Sequence, residues 1–512
     1  MLAIVKTMAL NGLDGYLVEV QADVTGGLPY FEIIGLPDTS IREAKERVKS
    51  SIKNIGIEFQ SRRYLINLAP ANIRKEGTAF DLPIAVSILL ATNRIKKNDK
   101  LQDTIFIGEL SLDGKINSIN GVLPICVEAK KLGIKRIIVP KENETEAAIV
   151  DGIEIISVKS LKEVIDYLNG KLILQVNKNN LEDILNQEEI YDVDFADVKG
   201  QENIKRALEI AVAGNHNCLL IGSPGSGKTM LAKRIPTIFP NLTFEEMLEI
   251  TKIHSIAGNL NNKEKLICSR PFRMPHHTIS GTSIIGEGKI PKPGEISLAH
   301  KGVLFLDELT EFKTNTLEVL RGPLEDRKVT ISRLQASLTY PCDFMLVASM
   351  NPCKCGYFGS EEKECNCSEQ ELNRYLSKIS GPLLDRIDIH IEVKGVKFEK
   401  LKESSKVESS KDIRNRVNLA KKIQLERYKE YKIYSNAELN NKLINKYCIL
   451  DEKSTELLEK AFKRFNLSAR AYSKIIKLAR TIADLDGKEN IENIHIAEAI
   501  QYRCLDRKFN KV

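Results

Sequence analysis

A short apolar run, Cys218 to Ile221, passes directly into Gly222-Ser223-Pro224-Gly225-Ser226-Gly227-Lys228-Thr229 and then into a helical stretch, Met230–Ile235. The pattern G-x-x-x-x-G-K-[ST], set between a strand and a helix, leaves few folds open. It demands an α/β domain in which a buried strand of a parallel sheet ends at a phosphate-binding loop. Glycines let backbone N–H groups turn inward around phosphate oxygens, and the helix that follows points its positive end at them. Lys228 is placed to neutralise the β and γ oxygens, and Thr229 to ligate Mg²⁺. All eight residues are therefore candidate nucleotide contacts, with ATP and Mg²⁺ as the expected ligands.

Two further apolar runs complete the pattern. Gly302–Leu306 ends in Asp307 and Glu308, 79 residues beyond Lys228. Asp307 can hold Mg²⁺, and Glu308 can polarise an attacking water. Phe344–Ser349 leads to Asn351, a polar tip suited to orienting that water. Arg386 follows, among Leu383, Leu384 and Ile387. It suits either an ion pair with Asp385 or Asp388 or an arginine finger reaching a neighbouring subunit's γ-phosphate. Arg470 opens a later helix, from which it could close over the nucleotide.

The rest of the 512-residue chain is too long for one core. Residues 1–170 alternate strand-like and helical runs and form one α/β domain. Strands are expected at Leu17–Val24, Tyr64–Leu68, Thr104–Gly108 and Arg136–Val139, and helices at Ile41–Ile55, Leu82–Thr92, Val122–Leu132 and Leu161–Leu168. Residues 171–193 are a linker with one short helix, Asn180–Gln187. Residues 194–400 carry the nucleotide motifs. A Ser/Lys/Glu tract, Lys402–Lys411, then introduces a helical region, 401–512, with helices expected at Asp412–Glu430, Asn436–Cys448, Glu452–Phe465, Ala469–Asp484 and Ile494–Tyr502. That region carries 25 Lys and Arg against 16 Asp and Glu, more than the net +7 of the whole chain. The imbalance fits a polyanion partner or a well-solvated helical domain.

The first twenty residues do not read as a signal peptide, and the longest apolar stretch, Leu82–Ala91, is half a membrane span. A cytoplasmic location without membrane contact is expected, so the ten cysteines are thiols or metal ligands. Cys353 and Cys355, then Cys365 and Cys367, form two C-x-C pairs nine residues apart. Four thiolates in fifteen residues suit tetrahedral Zn²⁺; free thiols or a redox pair remain alternatives. The other six cysteines sit in apolar contexts. His276 and His277 are adjacent and cannot readily face one metal, which favours a structural or loop role.

The order of these motifs resembles the AAA+ superfamily. Asp197–Gln201 resembles its adenine-side box, and Gly294–His300 with Leu383–Arg386 and Ser468–Arg470 resembles the magnesium-chelatase/MCM branch. The string Arg270–Ser280, with the N-terminal domain, is similar to the YifB/ComM family of magnesium-chelatase-like proteins over nearly the full length. The resemblance implies an AAA+ P-loop domain, a C-terminal helical lid and a homo-hexamer. It makes Asn351 sensor 1, Arg386 the trans finger and Arg470 sensor 2. It also implies pore-lining insertions at about Phe272–Pro293 and Lys328–Pro341, where Lys289, Lys292, Lys328 and Arg333 are candidate phosphate contacts. The N-terminal domain resembles the proteolytic domain of Lon along Lys75–Ala85, Ile107–Lys115 and Ile134–Asn143. Its serine and lysine positions fall at Ala79 and Ile125, so a Ser–Lys dyad is not expected.

Four functions compete at this level. The first, which the family resemblance implies, is an ATP-driven motor on single-stranded or branched DNA, active in recombination of incoming DNA. The others are a chelatase-type remodeller of a partner protein, an ATP-dependent protease, and a nucleotide-binding protein without turnover. Ala79 and Ile125 weigh against the protease, and the filled catalytic positions weigh against the last.

Overall fold

The computed structural model describes residues 1–174, 191–260, 266–288, 291–333, 337–360, 363–396, 407–465 and 467–503, apart from the side chains of 99 and 100. The expected helix Asn180–Gln187, Lys289 and much of the Lys402–Lys411 tract lie outside them. The chain divides into two compact units: residues 1–187 with 244–268, and residues 188–243 with 269–512.

The first unit is built on a seven-stranded sheet. Its order is Tyr30–Ile34, Arg63–Ala69, Asp14–Thr25, Leu2–Asn11, Thr104–Phe106, Arg136–Pro140 and Glu154–Val158. Leu2–Asn11 and Asp14–Thr25 form a long antiparallel hairpin, and the strands from Thr104 onward add in parallel. Alternate hairpin residues, Val18, Val20 and Ala22, are fully buried, as the two-residue period of a half-covered strand requires. Helix Asp81–Ala91 is buried along its whole length, which explains why its sequence is apolar on every face rather than on one stripe. The buried Asp81 is matched by two hydrogen bonds from Arg47, at 2.7 and 2.9 Å.

Segment Phe244–Cys268 lies within the 194–400 stretch, yet it groups with this first unit. Its helix, Phe244–Ala257, buries Ile250 and Ile253. Ser255 donates a hydrogen bond to Glu146, whose carboxyl is raised by burial. Ala79 sits in a short 3-10 turn, Thr78–Phe80, and Ile125 is buried in helix Val122–Lys131. Neither position offers a nucleophile or a base. Lys141 does approach Ser157, at 3.4 Å, but its ammonium is paired with Glu144 at 2.6 Å. Ser157 gives its own hydrogen to the same carboxylate.

The second unit holds a five-stranded, all-parallel sheet in the order Phe272–Arg273, Val303–Leu306, Met345–Met350, Cys218–Gly222, Ile389–Val393. The two central strands are completely buried, as expected of strands covered on both faces. The C-terminal region is helical: Ser410–Arg427, Asn441–Tyr447, Glu452–Phe465, Ala469–Leu485 and Asn493–Gln501. The expected single helix Asn436–Cys448 is instead a 3-10 turn, Asn436–Glu438, followed by a helix capped by Asn440. Asn436 is pulled inward because its buried side chain bonds Tyr428, Thr481 and Asp484. Asp484 also receives Arg427 at 2.6 Å and Arg480 at 3.0 Å. Among the described residues, no helix is long and apolar enough to cross a membrane.

Candidate nucleotide site

The central strand Cys218–Gly222 delivers the loop to the carboxyl edge of the parallel sheet, where open α/β sheets bind ligands. Gly225 and Gly227 take φ of +78° and +91°, the left-handed region that glycine enters without cost. Helix Lys228–Arg234 begins at the loop's end. The Lys228 ammonium donates to the Gly222 carbonyl at 2.7 Å, the Ser223 carbonyl at 2.9 Å and Asn351 Oδ1 at 3.2 Å. Burial lowers its pKa, and the nearby Asp307 and Glu308 charges oppose that shift. A phosphate would do the same more strongly, so the lysine is an anion-seeking group in this pocket. Ser226 is buried, and its backbone carbonyl accepts from Gln201 at 3.2 Å, which ties the Asp197–Gln201 segment to the loop.

The acidic pair stands at the end of the neighbouring but one strand. Thr229 Oγ1 donates to Asp307 Oδ2 at 2.8 Å. Two adjacent ligands of an octahedral Mg²⁺ lie roughly 2.9 Å apart at ordinary Mg–O distances, so this hydroxyl and carboxylate fit one such ion. Ser349 Oγ donates to the other Asp307 oxygen and accepts the Glu308 N–H at 3.3 Å. Glu308 itself adopts φ +54° and keeps an exposed carboxylate. Asn351 is held by its backbone carbonyl, which accepts from Tyr375 at 3.2 Å; Tyr375 in turn accepts from Thr310 at 2.8 Å. The structure thus gathers Lys228, Thr229, Asp307, Glu308 and Asn351 at one edge. Sequence reasoning missed three partners there: Ser349, Tyr375 and His277. The His277 Nδ1 lies 3.9 Å from a Glu308 carboxylate oxygen, and its ring centroid lies 4.1 Å from that of His276, the two rings tilted by 34°. Only Ser349, on the strand that leads to Asn351, left a local signal.

Arg386 and Arg470 are elsewhere. Strand Ile389–Val393 runs parallel to the P-loop strand, with Ile389 beside Cys218 and Val393 beside Gly222. Arg386 precedes the amino end of that strand, so roughly 13 Å of sheet separates it from its own loop. It pairs with Glu325 at 2.5 Å and donates to the Arg321 carbonyl at 3.1 Å, not to Asp385 or Asp388. Asp388 belongs to Lys474, at 3.0 Å. Arg470 bonds Asp385 at 3.0 Å on the same side, so it does not close over the nucleotide loop of its own chain. Both arginines line one cavity of about 470 Å³, which also receives Arg327, Lys474 and Lys477.

The second insertion forms an antiparallel hairpin, Lys328–Ser332 with Ser337–Pro341. Its inner face, Val329, Ile331, Leu338 and Tyr340, is buried, and the Tyr340 hydroxyl donates to the Pro291 carbonyl of the first insertion. Lys292, Lys328 and Arg333 are exposed. The four cysteines converge after Asn351. Cys353 Sγ lies 3.2 Å from Cys355 Sγ and 3.6 Å from Cys365 Sγ, and all four sulfurs fall within 4.8 Å of one another. A tetrahedron of Zn–S bonds has edges of about 3.8 Å, so this donor set fits one zinc ion. The N–H of Tyr357 and the Cys353 thiol lower the Cys355 thiol to about 6. Of the other cysteines, Cys126, Cys218, Cys342 and Cys448 are buried, Cys268 is half-buried and Cys504 lies outside the described residues.

Comparison with known proteins agrees with this architecture. Family models described as magnesium chelatase subunit ChlI match residues 194–401 and 20–143, and a model of that subunit's C-terminal part matches residues 407–503. Competence protein ComM of Haemophilus influenzae is 40% identical over 513 residues, covering 100% of this chain and 99% of that protein. YifB of Escherichia coli is 41% identical over 510 residues, covering 99% and 98%. Lon protease 2 of Bacillus subtilis is 33% identical over 183 residues, 32% of either chain. With its parallel-sheet P-loop unit, its helical C-terminal region and full-length similarity to ComM and YifB, the chain belongs to the ComM/YifB family of magnesium-chelatase-like AAA+ proteins.

Proposed function

We propose that this chain is a Mg²⁺-dependent ATPase that assembles into a homo-hexameric ring and moves on single-stranded or branched DNA during recombination of incoming DNA. The observation that carries the ring is the position of Arg386 and Arg470, at the edge of the sheet opposite their own P-loop. An arginine so placed can meet a γ-phosphate only on a neighbouring subunit. Lys228 and the loop amides bind the phosphates, Thr229 and Asp307 hold Mg²⁺, and Glu308 with Asn351 orients the water. Bound Mg²⁺ would neutralise charge on the β and γ oxygens. Ser349 keeps Asp307 turned toward Thr229. The four-cysteine cluster reads as a structural Zn²⁺ site.

The DNA assignment is supported by the exposed cations Lys292, Lys328 and Arg333 on packed insertions, by the basic last fifth of the chain, and by similarity to a competence protein. The N-terminal unit reads as an assembly or substrate-binding module without peptidase chemistry. A second reading, a chelatase-type remodeller of a partner protein, is favoured by the chelatase-subunit models. The test is the ATPase rate with forked DNA, single-stranded DNA or none, at several salt concentrations. The motor reading expects stimulation that weakens steeply with salt, because phosphate contacts release counterions. No stimulation and no salt-sensitive binding would refute it. In the same assay Lys228→Ala should abolish nucleotide binding or turnover.

A further inference from the structure

The cysteine cluster is joined to the nucleotide site by three separate connections. The first is covalent: Pro352 alone stands between Asn351, which accepts from Lys228, and Cys353. The second is a packing contact. Gly356, between the two cysteine pairs, turns at φ +88°, and its N–H donates to the Cys353 carbonyl at 3.0 Å. A Cβ at Gly356 would lie 2.6 Å from Cδ of Pro224 in the P-loop, so the knuckle rests directly on the loop's outer wall. The third runs through the far pair. Cys367 leads into Ser368, which caps helix Glu369–Leu376 through a reciprocal box with Glu371. That helix carries Tyr375, whose hydroxyl holds the Asn351 carbonyl.

An ion bound by Cys353, Cys355, Cys365 and Cys367 would therefore cross-link the two chain segments that flank and hold Asn351, and would fix the surface against Pro224. Without it, nothing covalent joins the Cys353–Cys355 arm to the Cys365–Cys367 arm except the intervening loop. Such a loop loses entropy when it orders. We propose that this ion governs nucleotide affinity: the zinc-loaded chain binds ATP more tightly than the zinc-free chain, through Asn351 and the Gly356–Pro224 contact. The inference rests on the zinc reading above. Coupling between two sites in one protein is commonly about 5- to 150-fold, and it is reciprocal. Bound nucleotide must then tighten zinc by the same factor.

The full-length chain is purified, its zinc content measured by mass spectrometry, and the affinity for a fluorescent non-hydrolysable ATP analogue compared before and after removal of zinc by a thiol-seeking chelator in excess Mg²⁺. One zinc per chain and about tenfold weaker nucleotide binding after removal are expected. Transfer of zinc to a chromophoric chelator should slow by a similar factor when the analogue is bound. Gly356→Ala, which leaves all four cysteines in place, should retain zinc and still weaken the analogue. A chain that purifies without zinc and does not take it up overturns the zinc reading and the coupling together. A chain that binds zinc, keeps its circular dichroism on removal and holds the analogue equally well overturns the coupling alone. Zinc-loaded Gly356→Ala with wild-type affinity overturns the contact route.

Discussion

Mixing two inactive variants tests the placement of Arg386 most sharply. Arg386→Ala removes a guanidinium that sits roughly 13 Å along the sheet from its own loop, as the strand rise sets it. A γ-phosphate finger is worth about 10³–10⁵ in turnover, or about 4–7 kcal/mol. Its present partner, Glu325, is largely exposed, so releasing that pair costs about 1 kcal/mol, and leaving the Arg321 and Pro382 carbonyls costs about 1 kcal/mol more each. The finger's gain therefore exceeds the cost of leaving these partners. Lys228→Ala empties the loop but leaves Arg386 intact. In a one-to-one mixture with random assembly, an intact loop faces an intact Arg386 at roughly one interface in four. Two preparations that are each inactive should together recover about a quarter of wild-type ATPase, with native mass spectrometry verifying mixed oligomers. Mixed oligomers with no recovered turnover would refute the trans placement, as would an Arg386→Ala chain that turns over normally.

Further expectations follow from charges held inside the second unit. Asp343 would be raised by burial, but Arg327 and Lys301, each 2.8 Å away, pull it down to about 2. A carboxyl depressed in the fold contributes stability that is present above its unfolded pKa near 4 and lost as pH falls toward 2. Asp343→Asn should then cost about 2 kcal/mol at pH 7 in urea unfolding, with the gap closing in acid. Asp484 stands between Arg427 and the fully buried Arg480. Asp484→Ala leaves both guanidinium groups uncompensated and should cost about 3–5 kcal/mol, read as an earlier midpoint for unfolding of the helical region.

The nucleotide loop was legible because its chemistry is local. Strand, glycines, lysine and helix follow one another, and the structure places Gly222–Thr229 at a strand end as that order requires. The placement of Asp307 and Glu308 at a strand end was legible for the same reason, and so was the closeness of the cysteine pairs. The two arginines were legible as candidates but not as positions. Which edge of the sheet carries Arg386 depends on the parallel register of Ile389–Val393 with Cys218–Gly222, and no local pattern encodes that. Ser349, Tyr375 and His277 reach Asp307, Asn351 and Glu308 from a strand, a helix and a turn distant in sequence. Helix Phe244–Ala257 has an apolar face like any other, and only packing reveals that it serves the first unit. The hairpin Leu2–Asn11 with Asp14–Thr25 was half seen: its second strand alternates cleanly, whereas the first, carrying Lys6 among apolar residues, does not announce itself.

On the proposed reading, ATP is hydrolysed at the edge formed by Lys228, Thr229, Asp307 and Glu308. The most direct test of that reading is a single comparison of Glu308→Gln with the wild-type chain, measuring ATP binding and Mg²⁺-dependent phosphate release on the same preparations. The glutamine keeps the shape of the side chain and removes the carboxylate proposed to orient water. Binding should persist while turnover falls at least about a hundredfold. Phosphate release at the wild-type rate from Glu308→Gln would contradict the account.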